Sequence, residues 1–110
     1  MEEAARRTGF VREAAGERFA GLDLESSPYW CSVTDDVERA LEQWAGLLAR
    51  AAPDSGPDVL RDHPNVLVGP VGRIVEQLQE RRELTGVNYV TVPRTQLRGF
   101  APVVAELTGR

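Results

Sequence analysis

The sequence predicts an α/β fold in which helices alternate with two parallel strands, with about four helices in all. Apolar residues recur at helical spacing in the segments around residues 2–19, 37–48, 71–85 and 100–107. Residues 22–33 and 87–92 instead carry the alternation and the residue types of strands. Strands separated by helices need crossover connections, and crossovers give parallel pairing.

The chain has 110 residues, of which 42% are hydrophobic and 27% charged, an ordinary balance for one globular domain. We therefore treat residues 1–110 as a single unit. No apolar run approaches the roughly 20 residues of a membrane span. The opening Met-Glu-Glu-Ala-Ala-Arg-Arg has no signal-peptide core, and the expected location is the cytoplasm. The single cysteine, Cys31, excludes an internal disulfide and a multi-cysteine metal site. A net charge of −4, with the basic residues scattered, argues against nucleic acid and anionic membranes as partners.

In chain order, Val11, Ala14, Ala15 and Phe19 mark the first helix, with Gly21 as its stop and Thr8-Gly9 as a possible restart. Leu22 and Leu24 then alternate with Asp23 and Glu25. Ser26-Ser27-Pro28 interrupts the strand, since proline cannot donate to a ladder, and Tyr29-Trp30-Cys31-Ser32-Val33 resumes it. Asp35 and Glu38 have capping-box spacing at the start of the second helix, whose stripe runs through Val37, Ala40, Leu41, Trp44, Leu47 and Leu48. Residues 51–57, with two prolines and a glycine, form a loop, and a short helical turn follows over residues 58–62. Val66-Leu67-Val68 is a short apolar run. Pro70 suits a helix start, and Gly86 ends the helix that carries Val71, Ile74, Val75 and Leu78. Residues 87–92 form the strongest strand, stopped by Pro93. In the last helix, Pro102 marks a kink or a true start. Two strands cannot cover this many amphipathic helices, so the chain reads as a piece of a larger βα fold, or as one that completes such a fold by association.

The stretch from Arg7 to Phe19, then Leu22-Asp23-Leu24, Val33-Thr34-Asp35-Asp36, His63-Pro64-Asn65-Val66-Leu67-Val68-Gly69, Arg81-Arg82-Glu83, Gly86-Val87-Asn88-Tyr89-Val90-Thr91-Val92 and Phe100-Ala101-Pro102-Val103-Val104 resembles, in this order, the C-terminal part of luciferase-like monooxygenases. The subgroup it is most similar to is that of F420-dependent oxidoreductases. The resemblance spans nearly the whole chain and rests on the collinear set, not on one decisive motif. It implies a partial (β/α)8 TIM barrel, with this chain supplying the sixth helix and the last two strands with their helices. It also implies hydride transfer between coenzyme F420, or alternatively FMN, and a small organic substrate in a full-length parent. The family's glycine-rich phosphate loop belongs to a middle strand and has no counterpart here, so the isolated chain is expected to be inactive. Two positions depart from the family pattern: Glu25-Ser26-Ser27-Pro28 is polar where the family strand is apolar, and Pro70 stands where Ser or Thr is usual.

On that alignment Ser26, Ser27, Tyr29 and Trp30 are the candidate cofactor-binding residues, with hydroxyls for hydrogen bonds and an indole for stacking. The bland alternative is a strand break followed by core aromatics. Arg94 could meet an anion, or be a solvated loop residue. No catalytic residue is assigned. His63 has no partners at catalytic or metal spacing, and a structural role beside Pro64 is favoured. Cys31 is favoured as a buried strand residue, and Asp35-Asp36 as helix caps. Gly69-Pro70-Val71-Gly72 could present N–H groups to a phosphate, but lacks the Lys and Ser/Thr of a Walker loop. The rival function is a non-catalytic module that pairs with a second copy or with an N-terminal half-barrel.

Overall fold

A computed structural model describes residues 1–54 and 56–108. Helix α1 (Glu2–Ala15) leads through a 3-10 turn (Gly16–Gly21) to β1 (Glu25–Ser26) and β2 (Trp30–Val33). Then follow α2 (Val37–Leu48), α3 (Pro57–Arg61), β3 (Val66–Gly69), α4 (Val71–Thr85) and β4 (Tyr89–Val90). A second 3-10 turn (Arg94–Gln96) opens into α5 (Leu97–Leu107). Among the described residues the strands form two separate parallel pairs, β1 with β4 and β2 with β3. The α/β class holds, with no closed barrel among the described residues. The pairs are nested: β2 and β3 lie within the sequence interval that β1 and β4 bracket.

The expected two strands are therefore four. Residues 22–33 split at Ser27-Pro28-Tyr29, where the missing proline N–H breaks the ladder and the chain passes from one sheet to the other. The run Val66-Leu67-Val68 is a full strand, buried along its length. Its periodicity is silent because both of its faces are apolar. Of residues 87–92 only Tyr89 and Val90 pair as strand, because β1 offers just two residues. Flanking bonds extend the seam: Asn88 N and Tyr89 N donate to Leu24 O, and Thr91 N donates to Ser26 O.

The β2–β3 pair is the centre of the molecule, in register from Trp30 opposite Val66 to Val33 opposite Gly69. Leu67 faces one apolar cluster with Cys31, Ile74, Phe100 and Val103. Val66 and Val68 face the other, with Ala40, Leu41 and Leu60. One short strand thus joins two cores, one built on α4 and α5, the other on α2 and α3. Trp30 packs against Trp44 at 5.8 Å between ring centroids and a 55° tilt, a favourable arrangement for aromatic quadrupoles.

The helix ends follow local chemistry. Asp36, not Asp35, caps α2: its carboxylate accepts from Arg39 N at 3.2 Å, while Thr34 Oγ1 accepts from Asp36 N at 3.1 Å. Pro70 precedes the first turn of α4, and Gly86 ends that helix in the left-handed region at φ 79°. Thr8-Gly9 does not restart α1, which runs unbroken. Its predicted stripe buries no residue, and Val11 remains 42% exposed. Pro102 lies inside α5. The predicted loop over 51–57 leads into α3, with Ser55 outside the described residues. Among the described residues no helix is long and apolar enough to cross a membrane.

Candidate functional site

Two features meet at the β1–β4 pair, one on each face. Strand side chains alternate, so Glu25 and Tyr89, opposite one another in register, share a face with Ser27 and Thr91, while Ser26 and Val90 point the other way.

On the first face a polar rim lies at the C-terminal ends of the strands. Glu25 Oε1 accepts from Thr91 Oγ1 at 2.8 Å and from Ser27 Oγ at 3.2 Å. At the other end of the pair, Asn88 Oδ1 accepts from Leu24 N at 2.8 Å and Asn88 Nδ2 donates to Asp23 Oδ1 at 3.2 Å, fixing the register. Both hydroxyls converge on one carboxylate oxygen, which leaves Oε2 to accept from a ligand. Tyr89, 56% exposed, stands beside it.

On the opposite face is a groove of about 380 Å³ between the strand pair and helices α4 and α5. Ser26 and Val90 form one wall, Leu78, Phe100 and Val104 the other, and Leu67 reaches its floor. Thr85, buried at the exit of α4, donates to Arg81 O at 2.6 Å and accepts from Val87 N at 3.2 Å. Its hydroxyl aligns the chain leading into β4.

The four candidate cofactor residues diverge. Ser26 lines the groove and Ser27 belongs to the rim. Tyr29 is 75% exposed, and Trp30 is committed to Trp44. The physical cause is Pro28, which turns the chain between sheets so that adjacent residues face different surroundings. A deazaflavin or FMN ring needs one continuous wall and donors for its phosphate tail. These residues do not form such a cradle by themselves, and no chemical step is assigned to them.

The remaining candidates have settled structural partners. His63 Nδ1 accepts from Asn65 N at 3.0 Å, shaping the turn into β3. Arg81 clamps the same turn from α4, donating to Val66 O at 2.6 Å and to His63 O and Pro64 O at 3.4 Å. Cys31 is buried, and desolvation pushes its thiol up to about 11, the opposite of an activated nucleophile. Arg94 is exposed at the start of a 3-10 turn. At Gly69, φ is 144°, and an added Cβ would meet the Arg73 side chain at 3.3 Å. The Arg73 stem packs over Gly69, and its guanidinium is paired with Glu76 and Glu80. Among the described residues no group of three or more His, Cys, Asp or Glu could hold a metal.

Sequence reasoning marks Glu25 only within the polar Glu25-Ser26-Ser27-Pro28 departure and misses Thr91, because the Glu25–Thr91 bond spans 66 residues. Compared with known proteins, the chain matches no family model, no curated protein and no solved structure.

Proposed function

We propose that this chain is the C-terminal part of a luciferase-like, F420-dependent oxidoreductase and is inactive alone. The observation that carries the reading is the parallel pairing of β1 with β4. Two strands far apart in sequence lie side by side, facing α4 and α5 across the groove on one side and bare on the other. A slice of a βα barrel has this form: helices outside, an uncovered inner face, and polar groups at the C-terminal strand ends. The collinear resemblance in sequence supplies the class. In such enzymes the deazaflavin, or FMN in the alternative, carries the hydride chemistry, and the protein binds and orients it. Here the contribution of this chain is one wall, with Glu25 held by Ser27 and Thr91 as a hydrogen-bond acceptor for an organic substrate.

The test is the mass of the protein in its own cells, followed with peptides or antibodies against residues 87–94. The expected species is well above 12.1 kDa, with peptides preceding Met1, and it binds deazaflavin. A species at 12.1 kDa overturns the reading as an activity and leaves it as ancestry.

A second reading, a non-catalytic module that pairs with a copy of itself or with an N-terminal half-barrel, is favoured by one observation. β1 and β4 each keep an open edge, and Phe10, Val11, Leu22 and Tyr89 are exposed on the described surface. A sharp monomer peak on sizing, with a cooperative melt, counts against it.

A further inference from the structure

β3 carries a stretch suited to pairing with its own kind. Asn65-Val66-Leu67-Val68-Gly69 is uncharged and largely apolar, with two β-branched residues, and Pro64 and Pro70 bracket it. Such a segment on an open sheet edge is a template for a second copy of itself.

The edge of β3 that faces away from β2 can be read from the ladder. Trp30 N donates to Asn65 O and Thr34 N to Gly69 O, so the odd-numbered residues of β3 turn their peptide groups toward β2. Val66 and Val68 turn theirs to the opposite edge, where no further strand pairs among the described residues. That edge is nevertheless filled. Val68 O accepts from Gln77 Nε2 at 3.0 Å, and Val66 O accepts from a terminal nitrogen of Arg81 at 2.6 Å. Val66 N donates to His63 O at 3.0 Å within the preceding turn. Helix and strand spacings match. Gln77 and Arg81 are four residues apart on α4, about 6 Å along a helix, and Val66 and Val68 are two apart on a strand, about 6.6 Å. The earlier helical residue meets the later strand residue, because α4 runs back along β3 after Pro70.

We propose that Gln77 and Arg81 are edge guards: they occupy the outward carbonyls of β3 and keep a second copy of β3 from adding to the sheet there. Packing through Ile74 and Val75 alone would hold α4 in place and leave both carbonyls to an incoming strand. The guards supply the donors such a strand would bring, from within the same chain. The argument rests on these hydrogen bonds and is independent of the oxidoreductase reading. It directs any self-association of the chain away from β3.

The probe is a peptide of residues 65–69 with a lysine tail for solubility, titrated into the isotopically labelled 110-residue chain while backbone amides are followed. The native chain is expected to show no saturating shift at Val66 or Val68. Q77A/R81A removes both donors from helix positions that alanine suits. It is expected to saturate, with shifts at Val66 and Val68 and none at Tyr89, and to sediment as a larger species than the native chain. Q77K/R81K restores donors at both positions and is expected to exclude the peptide again. Saturation of the native chain at β3 overturns the proposal. So does a folded Q77A/R81A that ignores the peptide, or equal binding by the alanine and lysine pairs. Q77A alone keeps the Arg81 clamp, and is expected to bind more weakly with its shift at Val68. It decides the matter where the double variant fails to fold, an unmoved Val68 then overturning the proposal.

Discussion

Cys31 shows at the residue scale how burial decides chemistry. The folded chain keeps its thiol protonated up to about pH 11, whereas an unfolded thiol ionises near its ordinary value of about 8.5. Between these values the folded state holds a proton that the unfolded state has released. The stabilisation from the neutral thiol is therefore fully present below the unfolded value and is lost as pH rises through about 11. The urea midpoint should fall across that window, and Cys31→Val should flatten the fall. Gly86 is a second case. Its φ is 79°, and an added Cβ would meet Phe19 Cζ at 3.3 Å and Leu24 Cδ1 at 3.4 Å. Gly86→Ala should cost about 1 kcal/mol or more by chemical denaturation. The cap of α2 separates adjacent aspartates: Asp36→Ala should cost about 1 kcal/mol, and Asp35→Ala less than about 0.5 kcal/mol. The sequence placed a capping aspartate here but chose its neighbour, because either one stands three residues before a plausible partner. The bond from Asp36 to Arg39 N decides between them.

Helices were legible at the element scale because their signals are local. Val37, Ala40, Leu41, Trp44, Leu47 and Leu48 mark α2, and all but Leu47, which is 73% exposed, are buried or half-buried. Gly86 ends α4 as glycine in the left-handed region should. Strands were less legible because their partners are distant. β3 gives no periodicity when both faces are apolar, and β4 is cut to two residues by the shortness of β1. The candidate cofactor residues separate for the same reason. Ser26, Ser27, Tyr29 and Trp30 look contiguous on paper, but alternation and Pro28 send them to different places, and the Glu25 rim needs Thr91 from the far end of the chain. α1 carries a readable helical pattern yet buries nothing, so tertiary packing protects it least. Hydrogen exchange should find its amides opening well before those of α4, whose Ile74 and Val75 are buried.

The whole molecule depends on β3. Each of its side chains enters one of the two apolar clusters, so the α4–α5 half and the α2–α3 half are joined through Leu67 on one face and Val66 and Val68 on the other. The β1–β4 pair sits outside this union, held by its short ladder and the Asn88 and Glu25 bonds, with the groove beneath it. Conditions that loosen the chain should therefore release that pair before the β2–β3 core. Mutations in the groove should change its exchange without moving the Trp30–Trp44 contact.

The nested strand order carries a further consequence. Both parallel pairs unite a strand from the first half of the chain with one from the second, and the exposed turn at Pro53 and Asp54 lies between the halves. Cutting there yields two peptides, and neither retains a strand together with its partner. Each should be largely unstructured by circular dichroism. When mixed, the two should assemble in a single concentration-dependent step, as complementary fragments whose only route to a sheet is through each other.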